Sequence, residues 1–216
     1  MRTVVFDLDG TLADTSADLL AAANACLPRA VLGPGDRLTA FHGGRAMLRL
    51  GFERLGMDRS EADINAAYPV LLEAYRGGIA THTRLYPGAM AAVEALKAGG
   101  YAVSICTNKP EGLADLLLRE LGVRGDFGAL VGADTFPVRK PDPIPYRAAV
   151  ERAGGLVGRS MLVGDTETDA KTGAAVGVPV ALVTFGPEGR GVERFRPAAL
   201  LDGFEDLPGL AKRLIG

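Results

Sequence analysis

Short apolar runs and amphipathic stretches alternate along most of this chain. Val4-Val5-Phe6 is β-branched and aromatic and ends in a turn rich in Asp, Gly and Thr. That is the pattern of a buried strand delivering its C-terminal end into a loop. Comparable runs recur at Ala102–Cys106, Ala129–Val131, Met161–Val163 and Val180–Val183, and a last short strand is expected near Ala199–Leu201. Between them the spacing predicts helices over Ala89–Ala98, Glu111–Leu121, Pro145–Ala153, Asp169–Val176 and Leu207–Leu214. Strand and helix in this alternation predict an α/β fold, a parallel sheet with helices on both faces.

One segment breaks the rhythm. From about Thr15 to Ile79 the periodicity is helical throughout, with apolar positions at helical spacing in Asp18–Cys26, Arg45–Leu55 and Ser60–Tyr75. Gly33-Pro34-Gly35 and Gly43-Gly44 punctuate it. The expected organisation is a core of residues 1–14 and 83–216, interrupted by an inserted small helical domain of residues 15–82. Hinges are expected at Ala13–Ser16 and Thr81–Pro87, and there is no internal repeat or low-complexity tract.

Composition narrows the function classes. With 216 residues, 48% of them hydrophobic and 23% charged, the chain can bury a core without disulfides or structural metals. A net charge of −2 and scattered Lys and Arg provide no track for a nucleic-acid backbone, so no nucleic-acid partner is expected. Cys26 and Cys106 lack metal-ligand spacing, and with two His residues a zinc site is not expected; reduced, buried thiols are. The N-terminal apolar run ends at acidic positions, unlike a signal peptide, and no stretch approaches the ~18 apolar residues that read as a membrane span. No membrane association is expected and the expected address is cytoplasmic.

In an open parallel sheet, ligands bind beyond the carboxyl ends of the strands. The loops expected there are Asp7-Leu8-Asp9-Gly10-Thr11-Leu12, Thr107-Asn108-Lys109, Lys140-Pro141-Asp142-Pro143 and Gly164-Asp165-Thr166-Glu167-Thr168-Asp169. Asp7, Asp9, Asp165 and Asp169 are expected to converge there with a lysine and a hydroxyl. Like charges brought that close raise one another's pKa and destabilise the fold. A hard divalent cation resolves the conflict, and all-oxygen ligands suit Mg²⁺. The same ion would screen an incoming phosphate dianion, so a small phosphorylated metabolite is the expected partner.

Together these four loops resemble the haloacid dehalogenase superfamily, in its phosphoglycolate phosphatase-like branch. Asp-Leu-Asp-Gly-Thr after an apolar strand is the most specific of them, and all four occur in the family's order over nearly the whole chain. The resemblance implies a Rossmann-like core with a helical cap placed directly after the first motif, where the helical segment lies. It implies a Mg²⁺-dependent phosphatase in which Asp7 is the nucleophile and Asp9 the acid and then the base. It further implies Mg²⁺ held by the Asp7 side chain, the Asp9 backbone carbonyl and Asp165, with Asp169 behind them. Thr107 with the Asn108 amide would hold the phosphoryl group, and Lys140 would neutralise it. In the helical segment Arg45, after His42-Gly43-Gly44, is a candidate anion contact at a helix start.

Each assignment has a plainer counterpart: an Asx turn for Asp7 and Asp9, a helix cap for Asp169, solvated side chains for Lys140 and Arg45. Asp142-Pro143 reads as a helix start, and Tyr146 and Phe41 as packing residues. A phosphomutase on the same scaffold is the alternative function. Thr11 weakly favours hydrolysis, because related mutases tend to carry a β-branched apolar residue there. Asp9 argues against dehalogenation, and the absence of lysine from Thr15–Ile79 argues against phosphonate hydrolysis through a Schiff base. A catalytically dead relative is disfavoured, since Asp7, Asp9, Lys140 and Asp165 are all present. The sequence leaves the oligomeric state and the role of Gly186–Gly191 open.

Overall fold

Val4, Val5 and Phe6 are wholly buried, and their strand, β1 (Arg2–Phe6), lies inside a six-stranded sheet. A strand covered on both faces is apolar at successive positions rather than at alternate ones, which is what the run displays. The computed structural model describes all residues, Met1–Gly216. The remaining strands are β2 (Ala13–Asp14), β3 (Arg84–Leu85), β4 (Tyr101–Cys106), β5 (Ala129–Val131), β6 (Ser160–Gly164), β7 (Val180–Val183) and β8 (Ala199–Leu201). The helices are α1 (Ser16–Ala25), α2 (Arg37–Phe41), α3 (Gly44–Arg54), α4 (Glu61–Gly77), α5 (Ala89–Ala98), α6 (Glu111–Glu120), α7 (Pro143–Arg152), α8 (Glu167–Val176) and α9 (Leu207–Ile215).

The chain forms two compact units, Met1–Ala13 with Leu85–Gly216, and Asp14–Arg84. In the first, the sheet order is β5-β4-β1-β6-β7-β8 and every pairing is parallel. The chain builds outward from β1 to β5 on one side, then returns to build β6 to β8 on the other. The switch point therefore falls at β1, where a parallel sheet opens a crevice at its carboxyl edge. Register places Phe6 opposite Ile105 and Val163, so the residues just beyond β1, β4 and β6 emerge side by side. On one sheet face, Val5, Cys106, Val131, Leu162 and Leu182 pack with Tyr146, Ala149 and Val150 of α7. Alternation along the strands turns Val4, Phe6 and Ile105 to the opposite face.

The expected parallel α/β core is present, with boundaries that differ at two helix starts. Helix α7 begins at Pro143, two residues before the start expected from periodicity and where the Asp142-Pro143 pair reads as a helix start: Asp142 accepts the Ile144 N–H at 2.9 Å and proline suits a first helical position. Helix α8 begins at Glu167 rather than Asp169, since the extended Thr166 precedes its first turn. Residues expected to act as hinges include β2 and β3, which pair as a two-stranded sheet of their own. Tyr146 is fully buried and bonded to Ser160, a packing residue as expected. Both cysteines are reduced; Cys106 is buried, whereas Cys26 is half-buried rather than buried, at the open end of α1.

The second unit is helical. Ile64, Leu71 and Tyr75 supply the buried stripe of α4, which continues through Pro69. A 3₁₀ turn at Pro34–Asp36 leads into the short α2, which helical periodicity alone did not reveal. The buried Asp18 ties the end of the unit to its beginning: it accepts the His82 N–H at 3.0 Å, the Thr83 N–H at 2.8 Å and the Thr83 hydroxyl at 2.7 Å. No helix is long and apolar enough to cross a membrane.

Candidate active site

The carboxyl edge of β1, β4 and β6 collects the charged groups. Asp7 is the first residue past β1, and its N–H extends the ladder by donating to the Val163 carbonyl at 2.9 Å. Its Oδ1 accepts the Leu8 N–H at 2.7 Å and lies 3.2 Å from Lys140 Nζ. Gly10 then turns the chain with φ of 81°, in the left-handed region that a side chain strains.

Asp165, past β6, is wholly buried and accepts the Thr11 hydroxyl on Oδ1 at 2.8 Å. Its Oδ2 is also buried and has no hydrogen-bond partner. Asp169, in the first turn of α8, is saturated. Its Oδ1 accepts Lys140 Nζ at 2.7 Å, and its Oδ2 accepts the Asp165 N–H, the Thr166 N–H and the Thr166 hydroxyl. This close approach needs Gly164, where an added Cβ would lie 2.3 Å from Asp169 Cγ.

Asp7, Asp165 and Asp169 each offer a carboxylate oxygen, all within 4.8 Å of one another. The electrostatic result is severe. Burial, then Asp169 and Asp9, push Asp7 up to about 6 against the opposing pull of Lys140 and the Leu8 N–H. Burial, reinforced by Asp169 and Asp7, pushes Asp165 well above the usual carboxylate range despite Thr11 and Lys140. Burial opposes the charge on Lys140, yet Asp169 and Asp7 outweigh it and hold the lysine firmly protonated. Burial also raises the neighbouring Cys106 thiol to about 12, an inert thiol rather than a nucleophile.

A hard cation fits this donor set. Every donor is an oxygen, one carboxylate oxygen is buried without a partner, and three acidic groups meet a single lysine. Asp7 and Asp165 have the capacity to hold a cation, whereas Asp169 is already occupied by four donors.

The other expected residues fall as follows. Thr107 is buried past β4, and its hydroxyl accepts the Lys109 N–H at 3.2 Å. The Asn108 side chain donates to the Lys140 carbonyl at 3.0 Å, linking the second and third loops. Lys140 precedes a cis peptide to Pro141 and has a side chain only 1% exposed. Asp9 lies outside the three-carboxylate group, its Oδ1 2.8 Å from Lys109 Nζ. Arg45 belongs to the helical unit, where Nε donates to Asn65 at 2.8 Å and the guanidinium lies 3.8 Å from the Tyr68 ring centre. Glu188 and Arg190, in the segment after β7, make ion pairs with Arg194 and with Glu193 and Asp202.

Two residues join the site through contacts that the sequence did not assign. Thr11 anchors Asp165, and Lys109 pairs with Asp9. A charge count was the available signal: the five aspartates on these loops are too many for Lys140 alone, and Lys109 is the other lysine there.

Comparisons with known proteins agree with this geometry. Residues 1–177 match the family model of haloacid dehalogenase-like hydrolases. A phosphoglycolate phosphatase of Mesorhizobium japonicum is 39% identical, over 98% of this chain and 96% of its own. One of Agrobacterium fabrum is 38% identical, over 98% of this chain and 93% of its own. Among solved structures, a predicted phosphoglycolate phosphatase from Haemophilus somnus 129PT superposes with a TM-score of 0.81 at 25% identity, covering 97% of each chain.

Proposed function

The chain belongs to the haloacid dehalogenase-like hydrolases and is a phosphatase among them, and we propose that it is a Mg²⁺-dependent enzyme that hydrolyses small phosphomonoesters through a phosphorylated Asp7. The observation that carries this reading is the buried, unpartnered Asp165 Oδ2 beside Asp7, at the carboxyl edge of the sheet. A buried carboxylate oxygen without a donor is costly unless a cation is meant to meet it. The Asp7 and Asp165 side chains and the Asp9 carbonyl would hold Mg²⁺, which would supply positive charge to offset these carboxylates and the phosphate dianion.

The chain's own groups then divide the work. Asp7 attacks phosphorus, and Lys140, 3.2 Å from its Oδ1, keeps it oriented and balances its charge. Thr107 and the Asn108 amide hold the transferring group. Asp9 protonates the leaving oxygen, then takes a proton from the water that releases phosphate from Asp7. Asp169 holds Lys140 at 2.7 Å and so positions it. Arg45, in the first turn of α3, is assigned to an anionic group of the substrate.

Residues 15–82 are assigned as the cap domain of the family, and 1–14 with 83–216 as the catalytic core. Phosphoglycolate is the first candidate substrate, since full-length relatives at 38–39% identity bear that name, and small sugar phosphates come next. The assigned address is the cytoplasm.

The test is phosphate release from a panel of phosphomonoesters with Mg²⁺, for the wild type and Asp7→Asn. The variant should lose turnover while remaining folded; equal turnover by both would sink the mechanism. Sustained turnover without a bisphosphate activator separates hydrolysis from mutase chemistry.

A further inference from the structure

We propose that Lys109 is a positioning residue that sets the Asp9 side chain for proton transfer, an assignment that rests on the reading of Asp9 as the acid and base of the reaction. Its Nζ lies 2.8 Å from Asp9 Oδ1, and its side chain is only 4% exposed against 18% for Asp9. A lysine on a loop normally keeps its ammonium in water, and burying it costs free energy that only a well-placed partner offsets. The root of this side chain is pinned as well. The Lys109 N–H donates to Thr107 Oγ1 at 3.2 Å, and its carbonyl accepts the Ala133 N–H at 2.9 Å. Asp9 is held in its turn by the Gly10 N–H, which donates to the Ala13 carbonyl at 2.9 Å.

The site therefore contains two buried lysines with separate duties. Lys140 serves Asp7 and Asp169, two of the three clustered carboxylates. Lys109 serves Asp9, which stands outside that group. An Asp side chain samples several staggered rotamers, and only one points a carboxyl oxygen at the leaving oxygen. A general acid must come within hydrogen-bond reach of its target, so an unrestrained Asp9 would spend much of its time misplaced. The Lys109 ammonium engages Oδ1 at 2.8 Å and so restricts the rotation of the carboxyl group.

The chemistry balances around this arrangement. As an Asp7 oxygen forms its bond to phosphorus, the bond from phosphorus to the ester oxygen breaks. The proton on the Asp9 carboxyl group passes to that oxygen, so the alcohol leaves neutral and Asp9 becomes a carboxylate. Water then attacks phosphorus, its proton goes back to Asp9, and the bond to Asp7 breaks to release inorganic phosphate. Lys109 stays protonated throughout and exchanges nothing.

The test compares kcat/KM for phosphoglycolate, whose alkoxide leaving group needs a proton, with that for p-nitrophenyl phosphate, whose leaving group needs little. This constant reports the first chemical step and excludes the later hydrolysis. Lys109→Met should lower it roughly 10- to 100-fold for phosphoglycolate and less than about 3-fold for the nitrophenyl ester, within the range of general acid catalysis. In an Asp9→Asn background the same substitution should cost nothing further, and the Mg²⁺ concentration for half-maximal rate should not move. Lys109→Arg should restore part of the selective loss. Equal losses on both substrates, or a full additional loss on top of Asp9→Asn, would overturn the proposal. If Asp9→Asn itself shows no leaving-group selectivity, the reading of Asp9 fails and takes this assignment with it. If Asp9→Asn is selective and Lys109→Met is not, only the Lys109 proposal fails. Should Lys109→Met not fold, Lys109→Gln, which keeps a donor without the charge, is judged by the same ratio; the same selective loss is expected, and its absence counts against the proposal.

Discussion

Replacing Asp7 with asparagine should abolish turnover and, with divalent cations removed, make the protein more stable. Asn is nearly isosteric with Asp, and its carbonyl oxygen can still accept from the Leu8 N–H and from Lys140. What disappears is a buried anion beside Asp165 and Asp169. Asp7 is raised from an ordinary value of 3.8 to about 6. At about 1.4 kcal/mol per unit, its ionisation in the folded state costs about 3 kcal/mol relative to the unfolded chain. That cost already includes the attraction to Lys140; burying the polar Asn amide offsets part of it, leaving an expected gain of about 1–3 kcal/mol, or about 2–10 °C in melting temperature for a chain of this size.

The sign follows from the raised pKa. Below the unfolded value Asp7 is protonated in both states and the variant has no advantage. The wild type loses stability as pH rises through the window from 3.8 to about 6, and above it the variant's advantage is complete. Lys140, protonated in the fold throughout this range, adds no slope. The assay is thermal unfolding in a chelator from pH 4 to 8. An Asp7→Asn protein that melts at or below the wild type at pH 7.5, or whose advantage at pH 4 is as large as at pH 7.5, would refute the reasoning. Mg²⁺ at pH 7.5 should raise the wild-type melting temperature and raise that of the variant less, because the cation binds the folded state through the same carboxylates.

Three further outcomes are expected. Lys140→Met removes the cation between Asp7 and Asp169 and should destabilise the chelated protein by about 3–5 kcal/mol at pH 7.5; acidification should recover part of that, and denaturant melts at pH 7.5 and pH 5 measure both. Thr11→Val takes the donor from Asp165 Oδ1 and should weaken Mg²⁺ binding about 10- to 150-fold, the equivalent of one hydrogen bond to a charged group, read from the Mg²⁺ dependence of the rate. Asp18→Ala leaves the buried Thr83 N–H without its acceptor and should cost about 1–3 kcal/mol, with faster amide hydrogen exchange across the helical unit and little change in the sheet.

The parallel core was legible in the sequence because its strands are buried on both faces. Such strands read as unbroken apolar runs, and their loops carry polar motifs at the edge where ligands bind. Helix starts were less legible. Periodicity put the start of α7 at Pro145, although the Asp142-Pro143 pair marked it correctly, and that of α8 at Asp169, because where a helix begins depends on local hydrogen bonds that periodicity does not encode. The short α2 escaped for the same reason, being too brief to establish a period.

In the site, the sequence alone determined which loops hold carboxylates and lysines and that their charges cannot stand together without compensation. Which charge meets which was decided by tertiary structure. Asp169 could read as a helix cap or as a partner of Lys140, and it is bonded to both Thr166 and Lys140. Lys109 looks like a solvated loop lysine until β4 is seen beside β1, 100 positions from Asp9 in sequence but 2.8 Å from it in space. The unpartnered Asp165 Oδ2 is likewise invisible in one dimension. Coulombic and hydrogen-bond energies depend on separations of a few ångströms, and only the folded sheet determines those separations for residues so distant along the chain.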